Sequence, residues 1–164
     1  MELQHVEHTL QPIWFAESKI LILGTMPSPK SREKMFYYAH PQNRFWRVLF
    51  QLFDKPFSTE REQRIKLCLD NGIALWDVIH SCSIEGAADS SIKNAVPNNL
   101  SKILETADIK AIFTTGQTAG KLYKKLIQPD TGIEAIILPS PSGANCAVKA
   151  DVLLQKYREI LKYL

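Results

Sequence analysis

At 164 residues, with 45% hydrophobic and 23% charged, the chain suits one globular domain with a sizeable core. No apolar run approaches the ~20 residues of a membrane span, and residues 1–18 lack the charged start and apolar centre of a signal peptide, so a soluble, cytoplasmic protein is expected. A formal charge of +3 is too weak by itself to imply nucleic acid, and the scattered Cys68, Cys82 and Cys146 argue against a disulfide framework, a zinc site or an iron–sulfur cluster.

Those cysteines read as small core or helix residues. Residues 1–18 show no clear period and read as an N-terminal arm or short helix, with His5 and His8 exposed or capping. Residues 19–23 (KILIL) form a continuous apolar run stopped by Gly24, the pattern of a strand buried on both faces. A long loop, 24–42, follows. Asn43 is placed to cap the next helix, in which Phe45, Val48, Leu49, Leu52 and Phe53 recur at helical spacing while Arg44, Arg47 and Gln51 point elsewhere.

Residues 59–71 predict a second helix, with Thr59 and Glu62 as a capping box and Asn71-Gly72 as its stop. Residues 73–79 (IALWDVI) are a second buried strand carrying one acid, Asp77, which must be paired, protonated or at the strand's end. The polar loop 80–96 is long enough to favour a functional or lid role. A helix over 97–107, a strand over 109–114, a helix over 117–126, a strand over 133–138 and a final helix over 147–161 complete the chain. The TTGQTAG turn lacks the Walker lysine and the full dinucleotide fingerprint, so its glycines read as strand–helix packing. The alternation predicts an α/β fold, a three-layer α/β/α sandwich around a central, mainly parallel four-stranded sheet, in a single domain over 1–164.

Two strands end in matching Pro/Ser loops, GTMPSP at 24–29 and LPSPSGAN at 138–145. Hydroxyls, free amides and rigid prolines are materials for gripping phosphates without reading sequence. Between them, residues 30–47 hold Lys30, Arg32, Lys34, Arg44 and Arg47 against the single acid Glu33, a basic patch beside aromatics of the kind a phosphate backbone attracts.

The stretch GTMPSPKSREKMFYYAHPQNRFWRVL resembles the first motif region of the uracil-DNA glycosylase superfamily, and within it the mismatch-specific branch, which has a Gly-x-Asn-Pro loop followed by AHPxNRFW. PSPSGAN resembles the second motif, a Pro/Ser loop that enters the DNA minor groove. Met26 stands where the family's motif-one asparagine positions the attacking water, and a thioether cannot do that. The YYAHPQNRFW segment resembles the hypoxanthine-DNA (deoxyinosine) glycosylase branch, where an asparagine further along carries the catalytic role. That role falls on Asn43, with helix capping as the alternative.

The resemblance implies a monofunctional glycosylase that extrudes a deaminated base, hypoxanthine first and uracil next, and leaves an abasic site. Tyr38 aligns with the aromatic that stacks on the flipped base, with Tyr37 as the neighbour that could exchange roles with it, one of the two packing on the strand. Backbone amides at Thr25 and Met26 would donate to the base carbonyl. Asp77 sits on the strand that contacts the uracil edge in the main branch. A carboxylate accepts but cannot donate, which would suit the N1–H of hypoxanthine, with a structural Asp bonded to 80–96 as the alternative. Pro27, Ser28, Ser31, His40, Ser140, Pro141, Ser142, Gly143 and Asn145 are the expected DNA contacts, His40 through structure or phosphate. No large apolar wedge stands in the second loop, so either Asn145 fills the gap or single-stranded substrate is favoured. DNA, duplex or single strand, is the expected partner, of a monomer with no metal and no organic cofactor. An inactive nucleic-acid-binding relative is the alternative, and a nucleotide enzyme built on the TTGQTAG turn has less support.

Overall fold

In the computed structural model, which describes residues 2–164, the chain runs β1 (Gln4–Glu7), β2 (Ile20–Gly24), α1 (Pro29–Lys34), α2 (Phe45–Leu52), α3 (Arg61–Asp70), β3 (Ile73–Asp77), β4 (Ile79–Glu85) and β5 (Ala88–Pro97). It continues through α4 (Ser101–Thr106), β6 (Ala111–Thr115), α5 (Gln117–Leu126), α6 (Gln128–Thr131), β7 (Ala135–Leu138) and α7 (Ala150–Tyr157), and ends in a 3-10 segment, Arg158–Tyr163. Among the described residues no helix is long and apolar enough to cross a membrane.

The apolar runs become a four-stranded parallel sheet in the order β3-β2-β6-β7. Because side chains alternate along a strand, β2 feeds two cores. Ile20 and Ile22 pack with residues of α2, α3 and α7, including Leu49, Leu67 and Tyr157. Leu21 and Leu23 pack on the opposite side with Ile103 of α4 and Tyr123 of α5. Both cores being closed, truncating Leu21 or Ile22 to alanine should cost about 2–5 kcal/mol.

The strand order reverses between β2 and β6: the chain leaves β2 toward β3 and leaves β6 toward β7. In open α/β sheets the crevice beyond the strand ends at such a switch point is where ligands bind.

Several expectations are corrected. The stretch 80–96 is not a loop but most of the β4–β5 hairpin, joined by β1 into a second, three-stranded antiparallel sheet. Its alternation is carried by small residues, with Ser81 and Cys82 buried beside Ile79 and Ile84, and so lacks the large apolar residues that mark a strand. Residues 4–7 are a strand, not a helix or free arm. The helices over 97–107 and 147–161 are shorter: Pro97 still belongs to β5, and the C-terminal segment tightens to 3-10 after Tyr157. At the start of α3 the Ser58 hydroxyl, rather than Thr59, accepts an amide, that of Glu60. Cys68 and Cys82 are buried, but Cys146 is exposed, against the expectation of a core or helix residue.

Candidate active site

The loops after all four parallel strands meet in one cleft of about 770 Å³. Gly24 and Thr25 come from the end of β2, Asp77 from β3, Thr115 and Gly116 from β6, and Leu138 to Ser142 from β7. Every residue singled out from the sequence for site contact lies along this cleft except His40 and Gly143. His40 is exposed in an adjoining groove, and its Nδ1 accepts the Gln42 amide at 3.1 Å. Gly143 instead meets Gln42: a methyl built on it would lie 2.9 Å from the Gln42 Cβ, so the two Pro/Ser loops touch there.

Tyr37 and Tyr38 are separated by a left-handed turn, with φ +51° at Tyr38. Tyr37 packs inward, its hydroxyl donating to the Gln11 carbonyl at 2.8 Å, although it still borders the cleft. Tyr38 stacks on Phe45 at 3.9 Å and 14°, and its hydroxyl bonds Thr115 Oγ1 at 3.0 Å. Burial, reinforced by the charge of Asp77, pushes the Tyr38 phenol above its ordinary range, so it stays neutral and able to donate.

The side chain of Asp77, at the end of β3, is almost wholly buried. Its Oδ2 lies 2.7 Å from His8 Nε2, and its backbone carbonyl accepts from Asn98 Nδ2 at 2.9 Å. His8, expected to be exposed or capping, is instead 7% exposed. It is placed by its amide, which donates to the His80 carbonyl at 2.6 Å where β1 runs beside β4. Gly24 is required here by close approach. A methyl on it would stand 2.4 Å from Asp77 Oδ1 and 3.1 Å from the Tyr38 hydroxyl.

Asn43 caps α2 through its side-chain oxygen, which accepts the Phe45 amide at 2.9 Å. A carbonyl oxygen has two lone pairs, so capping leaves one for another donor. Met26 is buried in the apolar cluster beneath the small sheet.

Several polar groups of the Pro/Ser loops serve the loops themselves. Ser31 Oγ receives the Ser28 hydroxyl at 3.2 Å and the Ala39 amide at 3.1 Å. Ser140 Oγ accepts the Ser142 amide at 3.3 Å, Ser142 Oγ accepts the Ala144 amide at 3.2 Å, and Asn145 Nδ2 donates to the Ser140 carbonyl at 3.0 Å. The Asn145 side chain is therefore tied into its loop, which favours the absence of a wedge.

Arg44, read from the sequence as pointing outward in a phosphate-attracting patch, turns inward. It donates to the carbonyls of Ser142 at 3.2 Å, Asn145 at 3.0 Å and Val148, and its amide donates to the Pro141 carbonyl at 2.9 Å. It clamps the second loop to the start of α2. Arg32 likewise donates to the Pro27 carbonyl at 2.7 Å.

Sequence reasoning missed His8, Asp89 and Thr115 as members of the site. Asp89, near the tip of the β4–β5 hairpin, lines the cleft, as Thr25 does. Burial raises its carboxyl above the ordinary carboxylate range, the Thr25 hydroxyl opposes this, and the charge of Asp77 adds to it. A lid role for 80–96 had been the only signal for Asp89. The TTGQTAG turn does serve packing, since a methyl on Gly120 would lie 2.5 Å from Ile137 Cδ1, but it also delivers Thr115 to Tyr38.

The cleft thus lies at the switch point of the parallel sheet, floored by the loop after β2 and walled by the Pro/Ser loop after β7. The chain belongs to the uracil DNA glycosylase superfamily, whose family model matches residues 14–164. Two relatives carry the name hypoxanthine DNA glycosylase. One, from Methanosarcina acetivorans, is 37% identical over 130 residues, covering 78% of this chain and 81% of the relative. The other, from Methanosarcina barkeri, is 35% identical over 136 residues, covering 82% and 85%. The fold is also similar to a solution NMR structure of a candidate uracil DNA glycosylase from Methanosarcina acetivorans. That comparison has a TM-score of 0.78 and 29% identity, and covers 96% of this chain and 99% of the other.

Proposed function

We propose that this protein is a monofunctional DNA glycosylase that excises deaminated bases, hypoxanthine first and uracil next, to begin base excision repair. Membership of the superfamily and the names of the two relatives support the activity. The names of the two relatives place hypoxanthine ahead of uracil in this reading, and one observation supports selection of the deaminated base: the Asp77 carboxyl is fixed by His8 through Oδ2, while Oδ1 stands over Gly24 beside the Tyr38 hydroxyl. A carboxylate oxygen there accepts the N1–H that hypoxanthine carries and adenine lacks.

In this reading the extruded base enters the cleft against the ring of Tyr38. Amides of Thr25 and Met26 donate to its carbonyl. Asn43 orients a water through the lone pair that capping leaves over. As the bond from C1′ to the base breaks, its electron pair leaves with the base and the sugar gains oxocarbenium character. Water attack at C1′ with loss of a proton then gives the abasic sugar. Pro27, Ser28 and residues 140–142 line the rim and face the phosphates. The protein works as a monomer in the cytoplasm, without metal or organic cofactor, and acts on single strands at least as well as on duplexes because it lacks a wedge.

A catalytically inactive DNA-binding relative is the second reading, favoured by Met26 in the motif-one position. Duplexes and single strands containing one inosine, uracil or mispaired thymine, incubated with the protein and then cleaved with alkali, decide between them. Release is expected fastest from inosine. Salt-sensitive binding with no abasic product from any substrate would establish the inactive relative.

A further inference from the structure

Beside the cleft lies a second groove of about 340 Å³, and Tyr38 and Asn43 line both. Its cations come from three elements: Lys34 from α1, Arg47 from α2, and Arg61 and Arg64 from α3. No acidic side chain lines it among the described residues, and none of the four cations forms an ion pair there. Four lysines elsewhere on the surface do find an acidic partner, among them Lys66 with Asp70 and Lys162 with Glu159.

The three guanidinium groups are held on aromatic rings. Arg47 lies 4.4 Å from the Phe57 ring centroid, Arg61 5.0 Å from that of Phe36, and Arg64 5.2 Å from that of Trp46. Further bonds orient two of them: Arg61 donates to the Lys34 carbonyl at 2.8 Å and Arg64 to the Ser58 carbonyl at 3.0 Å. Planar guanidinium groups fixed in this way are suited to bidentate contact with phosphate oxygens and lose little side-chain entropy in making it. Arg64 is also crowded, its charge disfavoured first by burial and then by Arg47, a conflict that an anion between them would relieve.

We propose that this groove is a nucleic-acid subsite that seats a phosphodiester of the strand carrying the extruded nucleotide, immediately beside that nucleotide, with Arg47 and Arg61 as its principal phosphate contacts. The proposal rests on the cleft being the place of the extruded nucleotide. A continuous strand then passes from the cleft across Tyr38 and Asn43 into the groove. It also relocates the phosphate-binding cations: α3 supplies two of them, and Arg32 and Arg44 are spent on internal carbonyls.

The test is fluorescence anisotropy of a labelled single strand of about 15 nucleotides, with a non-hydrolysable abasic analogue at its centre, titrated with wild type and R47Q/R61Q over a range of sodium chloride concentrations. Loss of two contacts, at about 0.7 each, should make the slope of log affinity against log salt shallower by about 1.4, with binding at low salt weakened at least about tenfold. R47K/R61K, which keeps the charge, should restore most of the slope. If the double glutamine variant does not fold, R61Q, altered at an exposed position, should change the slope by about 0.7. Equal slopes in wild type and a folded variant overturn the proposal. If inorganic phosphate then also raises the melting temperature of wild type alone, the groove belongs to a free anion instead. The probe has no base to release at its central position, so failure to release base from inosine or uracil strands would count against the glycosylase reading and leave the slope comparison intact.

Discussion

His8 Nε2 and Asp77 Oδ2 lie 2.7 Å apart across 69 residues of sequence, with both side chains almost wholly withdrawn from solvent. The contact joins the first strand of the small sheet to the end of the central one and determines which carboxylate oxygen is left to face the cleft. In the proposed mechanism that oxygen sets substrate choice. Asp77→Asn should slow hypoxanthine excision roughly 10- to 100-fold, the worth of one hydrogen bond to a charged group. Single-turnover rates on an inosine strand measure it, and an unchanged rate sinks the assignment. His8→Ala should lower stability by about 1–3 kcal/mol in urea denaturation, since it leaves a buried acceptor without its partner.

Asn43 carries two duties that substitutions can separate. Asn43→Ala should cost about 1 kcal/mol through the lost cap and abolish measurable base release. Asn43→Ser restores a capping oxygen and should recover the stability but not the release. Full excision activity in the serine variant would remove Asn43 from the chemistry and leave it a cap.

The pH dependence of stability should expose Asp89. Its folded-state pKa lies above the ordinary 3.8, so the fold favours the protonated carboxyl. That contribution is complete below 3.8 and is lost as pH rises through the raised folded value. At neutral pH the cleft therefore holds a disfavoured carboxylate, and Asp89→Asn should raise the melting temperature. The gain should vanish on acidification below the ordinary carboxylate range. Melting curves of both proteins at several pH values check this, and a gain independent of pH would contradict it.

Arg44 should behave as a clamp rather than a phosphate ligand. Arg44→Lys cannot reach the Ser142, Asn145 and Val148 carbonyls together and should lose about 2–3 kcal/mol of stability. Hydrogen exchange should rise across 141–148 while the salt dependence of DNA binding stays close to that of wild type. A marked fall in salt slope would return Arg44 to the DNA interface.

Met26→Asn, which restores the motif-one residue, should destabilise the protein by about 1–3 kcal/mol because it places an amide in an apolar cluster. It should not rescue an Asn43→Ala variant. Rescue would show that the cleft keeps the geometry of the motif-one mechanism.

The parallel sheet was legible because residues such as Ile20 to Leu23 are apolar on both faces, a pattern that partially buried strands lack. The Pro/Ser loops were legible because they interrupt those runs. β4 and β5 were not, because Ser81, Cys82, Ser90 and Ser91 carry too little hydrophobic contrast to register as alternation. His8 was invisible for another reason: its partner lies in a different sheet, and nothing local in HVEHTL distinguishes it from the exposed His5. Arg44 and Arg47, three residues apart, looked equivalent as charges, but only the second is left to solvent once the Pro141 loop packs over the first.

The family match begins at residue 14, whereas β1 and His8 lie before it. A chain trimmed to the matched span would keep the central sheet, both Pro/Ser loops and the arginine groove. It would also uncover the backbone edge of β4, inviting strand pairing between molecules, and strand Asp77 without its imidazole. The opening residues thus act as a detachable accessory: they stopper a sticky edge and aim an acid, so a boundary drawn by resemblance alone would separate the central scaffold from the part that holds Asp77 in place.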